Sequence, residues 1–158
     1  MASISGGEKL ESVLKGISAN LQLKMNVGVL AGSTNEDTGE PIAPYAAANE
    51  YGTATIPARP AFRNTVGDQS AVWGETLGKL TSGNSQDAAG IERAFNILGQ
   101  VMVQDIRDTI EHSVPPPNAK STIDAKRRKG RAKPEQTLVD SGSYQRSIDY
   151  EIIKGDEE

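Results

Sequence analysis

The sequence predicts an α+β fold: a small, mainly antiparallel sheet packed by several helices, with long extended arm and loop segments. Three observations carry that expectation. Leu23, Met25, Val27, Val29 and Ala31 alternate with Lys24, Asn26, Gly28 and Leu30, and far along the chain Ile148, Tyr150 and Ile152 alternate again. Period two marks half-buried strands. Between them run helix-period patterns, the longest through Ile91, Ala94, Phe95, Leu98, Val101, Met102, Ile106 and Ile110. Separated strands with helices between them give an α+β arrangement. A sheet this small leaves edges that need a cover or a neighbouring subunit.

The elements follow in order. Leu10, Val13, Leu14, Ile17 and Leu21 have the spacing of an amphipathic helix, with Glu8 and Glu11 placed to suit its dipole. The first strand follows and ends in the turn residues of AGSTNEDTGEP. PIAPYAAANEYG reads as a short helix, with Pro44 in its first turn and Gly52 as its stop. TATIPARP is extended, because Pro57 and Pro60 fix their own φ and bias the residue before them. A helix through Phe62, Val66, Val72, Trp73, Leu77 and Leu80 is weakened by Gly67, Gly74 and Gly78, and TSGNSQ breaks it. The long helix ends before HSVPPPN. Residues 113–143 carry little apolar content and read as a long basic loop, mobile until assembly. The last strand leads to an acidic tail at 155–158. The whole chain, 1–158, reads as one domain without internal repeats.

Composition narrows the chemistry. The chain has 158 residues, no cysteine and one histidine. Disulfides and thiolate chemistry are thereby excluded. No apolar run approaches the length of a membrane span, and MASISGGEKLESVLKG has no signal-peptide core. His112 falls near a helix C-terminus, where a partly charged imidazole is favoured, and reads as structural rather than catalytic. Asp105 and Asp108 on the same helix make no recognisable metal constellation with it. Glu50 reads as the partner of Arg59 or Arg63, since no companion acid stands near it. No catalytic, metal or cofactor-binding residue is assigned, and a non-enzymatic protein is expected.

Charge is unevenly spread. Lys120, Lys126, Arg127, Arg128, Lys129, Arg131 and Lys133 are opposed within their segment only by Asp124, a net of six positive charges. The chain as a whole carries −4, so the remainder carries −10. A basic arm on an acidic body speaks of partners. It suits docking on an acidic protein surface, phosphate contacts without sequence preference, or simple solvation. No aromatic stands within the cluster to stack bases.

Two blocks carry a resemblance. The first is AAANEYGTATIPARPAFRNTV, through Glu50, Tyr51, Gly52, Ile56, Pro57, Arg59, Pro60, Phe62 and Arg63. The second is VPPPNAKSTIDAKRRKGRAKPEQTLVDSGSYQRSIDYEI, through Pro116, Thr122, Ile123, Lys126, Leu138, Asp140, Gly142, Tyr144, Ser147 and Ile148. Together they resemble the tail-completion, or neck, proteins of long-tailed bacteriophages, related to phage virion morphogenesis proteins. Ser141 stands where threonine is common in that pattern, Tyr144 where leucine is common, and Ala61 intrudes between Pro60 and Phe62.

The resemblance implies a structural virion protein without cofactor. It would form a ring, commonly six-fold, at the head–tail junction, after assembling in the host cytoplasm. Its partners would be its own copies, the head connector with its adaptor or stopper proteins, the tail terminator or tail tube, and the genomic DNA crossing the channel. No membrane is implied. Glu50, Tyr51, Ile56, Pro57, Arg59, Pro60, Phe62 and Arg63 are then the expected subunit interface. Lys120, Lys126, Arg127, Arg128, Lys129, Arg131 and Lys133 are the expected docking or DNA-channel surface. The alternatives are a tail terminator, a protein binding nucleic acid nonspecifically through residues 120–133, and, more distantly, a hydrolase built on His112.

Overall fold

The computed structural model describes residues 23–82 and 87–154. The helix expected over residues 10–21 and the acidic tail 155–158 lie outside the described residues, as do 83–86 of the expected break. The fold is α+β. Its order is β1 (Lys24–Val29), α1 (Ile42–Tyr51), α2 (Ala61–Thr81), α3 (Ala88–Glu111), α4 (Lys120–Arg128), α5 (Ser143–Arg146) and β2 (Ile148–Ile153). No described helix is long and apolar enough to cross a membrane.

The strands at the two ends of the described chain pair with each other. β1 and β2 run antiparallel, in register from Lys24 opposite Ile153 to Val29 opposite Ile148. Strand alternation puts Val27, Val29, Ile148 and Tyr150 on the side that meets the core. The opposite side carries Asn26 across from Glu151, whose amide and carboxylate hydrogen-bond at 2.9 Å.

The sheet lies on α3. Gly99 makes the approach possible, because a Cβ there would stand 2.4 Å from the Tyr150 ring. The Tyr150 hydroxyl reaches Asn96 Oδ1 at 3.1 Å. That contact also orients the helix. Ala94, Leu98, Ile106 and Ile110 are buried as their spacing predicts, but Val103 is buried while Val101 and Met102 are only half covered. The buried stripe follows the Gly99 side, where Tyr150 fills the space a side chain would need.

α1 starts after Pro41 and stops at Gly52, whose φ of 78° only glycine adopts without cost. A Cβ at Gly52 would also meet the Ala58 nitrogen at 3.0 Å. α2 packs along α3. Its glycines at 67, 74 and 78 lie where an added Cβ meets nothing, so they weaken the helix without serving a contact. Trp73 is buried and its Nε1 donates to Asp105 at 2.6 Å. Asp87 caps α3 by accepting from the Gly90 nitrogen at 2.6 Å.

Two expected extended stretches fold differently. Residues 53–56 close a turn, with the Thr53 nitrogen donating to the Ile56 carbonyl at 2.8 Å, and Pro60 (φ −77°, ψ 70°) centres a second tight turn in which the Ala61 nitrogen donates to the Arg59 carbonyl at 2.8 Å. Residues 113–143 are not a bare loop: they contain the nine-residue α4. Thr137 and Gln136 tie the return path to the Val114 and Glu111 carbonyls, both at 2.8 Å. Asn118 Nδ2 donates to the Gln136 carbonyl at 2.9 Å.

Candidate interaction site

The first block is built around a helix start that lacks its own cap. Pro60 precedes α2 and offers no side-chain acceptor. Glu50, from the last turn of α1, supplies it from twelve residues away. Its carboxylate accepts from the Phe62 nitrogen at 3.1 Å and the Arg63 nitrogen at 3.0 Å. Negative charge at a helix N-terminus is favoured by both orphan N–H groups and the dipole. Arg63 returns the contact through Nε to the same carboxylate at 3.1 Å. Its guanidinium also lies 5.3 Å from the centre of the Tyr51 ring. Of the two arginines expected to pair with Glu50, Arg63 does so.

Arg59 does something else. It is buried, and its fork holds two backbone carbonyls of the second block: Nε donates to Pro116 O at 2.8 Å and Nη2 to Pro117 O at 3.1 Å. Its own nitrogen donates to Asn49 O at 2.6 Å. Planar geometry lets one arginine satisfy both proline carbonyls at once. Glu50 and Arg59, expected at an interface between copies, are therefore buried within the chain and tie its own segments together. Tyr51, Pro57 and Arg63 are exposed, while Ile56, Pro60 and Phe62 are half covered.

Around Tyr51 and Arg63 the surface is concave. An open groove of about 380 Å³ is lined by Val27, Val29, Ala43, Ala47, Tyr51 and Phe62. Tyr51 is 73% exposed beside it, the largest exposure of any large hydrophobic side chain described.

The second block holds another buried cation. Lys126 was expected on a docking surface, but it is buried. Its Nζ donates to Gln136 O at 2.7 Å and Val139 O at 2.5 Å. Burial pushes its pKa down, partly opposed by the nearby Asp140. The two carbonyls bracket Leu138, a buried non-glycine residue at φ 61°. A left-handed leucine costs roughly 1–2 kcal/mol, and Lys126 on one side with core packing on the other keeps it there.

Most of the remaining cations in the segment are answered by carboxylates. Lys120 pairs with Asp124 at 2.8 Å, Lys133 with Glu111 at 3.3 Å, and Arg127 with Glu135. Arg131 bridges Asp140 at 3.0 Å and Asp37, joining the turn after β1 to this block. Lys129 also reaches Asp140 at 3.3 Å. Burial alone would raise the Asp140 carboxyl, but hydrogen bonds and charge from Arg131 and Lys129 hold it below its ordinary value of 3.8. Five of the seven cations thus meet five carboxylates, four of which (Asp37, Glu111, Glu135 and Asp140) lie outside residues 120–133. Lys120, Arg127, Arg128, Lys129 and Lys133 remain exposed and Arg131 is half covered.

Tyr144, on the short α5, packs edge-on against Tyr45 at 5.8 Å between ring centres. Its hydroxyl is pushed well above the ordinary tyrosine range, first by burial and then by the nearby Glu50 charge. His112 caps α3 with Nδ1 at 2.7 Å from Asp108 O. It lines a polar cleft of about 410 Å³ with Asp68, Asp105 and Asp108. Among the described residues no group of three or more His, Cys, Asp or Glu side chains is arranged to hold a metal ion.

Asn118, Gln136 and Thr137 escaped sequence reasoning as anchors. Their partners are backbone carbonyls, which leave no mark in a sequence. Set against known proteins, the chain matches no family model, no curated sequence and no solved structure.

Proposed function

We propose that the protein is a structural component of a bacteriophage virion, forming a ring at the head–tail junction as a tail-completion or neck protein. The observation that carries the reading is the joint between its two motif blocks. Arg59 of the first holds the Pro116 and Pro117 carbonyls of the second. Residues that resemble one family's pattern are thus the residues that build one mechanical unit.

What this unit leaves on the outside suits assembly. Tyr51, steadied by Arg63 and set beside an apolar groove, is the type of aromatic and arginine anchor that interface cores favour. The basic segment, with most of its charge already answered, suits docking to a protein surface better than an open cationic face for phosphates. It would meet the connector, the tail or the channel.

The test is mass and place: light scattering on the purified protein, then electron microscopy of particles. The expected result is a closed ring at the junction between head and tail, with unjoined heads and tails when the protein is missing. A monomer absent from particles, yet bound to nucleic acid in a salt-dependent way, would replace this reading.

A further inference from the structure

The sheet has only two strands among the described residues, so each strand has an edge without a strand partner. The two edges differ in charge. Exposed Lys24 and Asn26 lie on β1, and exposed Asp149 and Glu151 lie on β2. Both strands are six residues long. The open groove beside Val27 and Val29 separates that end of β1 from Ala43 and Ala47 of α1.

An unpaired edge is a template for another strand, since its outward N–H and C=O groups need partners. Charge selects which strand. β2 set antiparallel to a second β2 opposes Asp149 with Glu151, and like charges directly across from one another destabilise the pair. β1 set against β1 brings Lys24 and Asn26 no acid. β1 of one copy against β2 of another, with Lys24 opposite Glu151, also puts Asn26 opposite Asp149. In that register Met25 faces Tyr150 and Val27 faces Ile148, so the apolar row continues across the junction.

We propose that the β1 edge receives β2 of a second copy of this chain, so that the sheet runs on from subunit to subunit. Each copy offers one edge of each kind. The contact is therefore heterologous, the kind that closes into a ring. The proposal rests on the ring reading above and supplies the interface that reading needs. Tyr51, Phe62 and Arg63 line the groove beside the receiving edge, so the first motif block would flank the junction.

The chain has no cysteine, which makes the test direct. Full-length Lys24→Cys is mixed with full-length Glu151→Cys carrying a mass tag, and disulfides are allowed to form. Directly opposed residues of paired strands fall within disulfide reach. The mixed disulfide is expected in roughly tenfold excess over either same-variant dimer. Lys24→Glu or Glu151→Lys alone should weaken self-association about tenfold, and the double reversal should restore it.

Same-variant dimers in excess would overturn the proposal in favour of a two-fold contact. Rings of wild-type protein without the mixed disulfide would overturn the edge and leave the ring reading standing. A wild-type chain that stays monomeric at every concentration and is absent from particles would overturn both.

Discussion

Arg59 and Arg127 look alike in the sequence, each a basic residue in a motif block, yet they live in different regimes. Arg59 is buried and spends its fork on Pro116 and Pro117 carbonyls. The Arg127 side chain is 59% exposed and faces Glu135, itself 62% exposed. The first region uses charge to hold backbone, and the second uses it mostly to balance charge at the surface. The partner, more than the residue type, decides what a cation is for. A buried cation whose partners are neutral carbonyls cannot be removed without orphaning them. A surface pair gains little because water competes for both ends.

Arg59→Met should therefore show the largest effect in the molecule. Two backbone carbonyls lose charge-assisted donors and the buried guanidinium site is left empty, and about 3 kcal/mol of stability should disappear in chemical denaturation. Arg59→Lys keeps the charge but not the fork and should recover only part of it. If Arg59→Met unfolds with the wild-type midpoint, the joint between the blocks is not what holds them.

Lys126→Met sharpens the comparison, because Lys126 sits in the second region yet behaves like the first. It should cost about 2 kcal/mol. The loss should be local: faster hydrogen exchange through residues 136–140, with α3 and the sheet protected as before. Uniform loosening of the whole chain would mean that Lys126 is not the clamp on Leu138.

These two residues also mark where the sequence stopped being legible. Both strands, α2 and α3 were readable because their stabilisation is apolar and periodic, and α1 was readable from Pro44 in its first turn and Gly52 at its stop. Val27 and Val29, or Leu98 and Ile106, announce their face by spacing. The Glu50–Arg63 pair was half readable, since opposite charges suggest each other, but Glu50 as a remote cap for α2 was not. α4 was missed because it has almost no apolar face. Its buried residue is a lysine, and the groups that hold that lysine are carbonyls of Gln136 and Val139. Thr53 likewise turned an expected extended arm into a closed turn through a backbone bond.

Asp140 offers a smaller effect with a defined sign. Its folded pKa lies below the unfolded value, so its contribution is present above about pH 4 and is lost as pH falls through the folded pKa. Asp140→Asn should be less stable than the wild type near neutrality and converge on it in acid, so its stability falls less over that window. A variant as acid-sensitive as the wild type would show that the Arg131 and Lys129 contacts are not formed in solution.

Arg127→Glu with Arg128→Glu should disturb the fold least and function most. Arg127 loses a surface pair, and Arg128 makes no ion pair among the described residues. Surface substitutions of this kind stay within about 0.5 kcal/mol. Docking is different, because in the proposed ring reversing charge at a complementary contact would turn attraction into repulsion at every copy. The expected phenotype is a folded protein with wild-type denaturation and filled heads that do not join tails. Normal yields of infectious particles would show that this outer surface docks to nothing. A loss of joining matched by an equal loss of stability would move Arg127 and Arg128 into the same regime as Arg59, and the contrast between the two regions would fail.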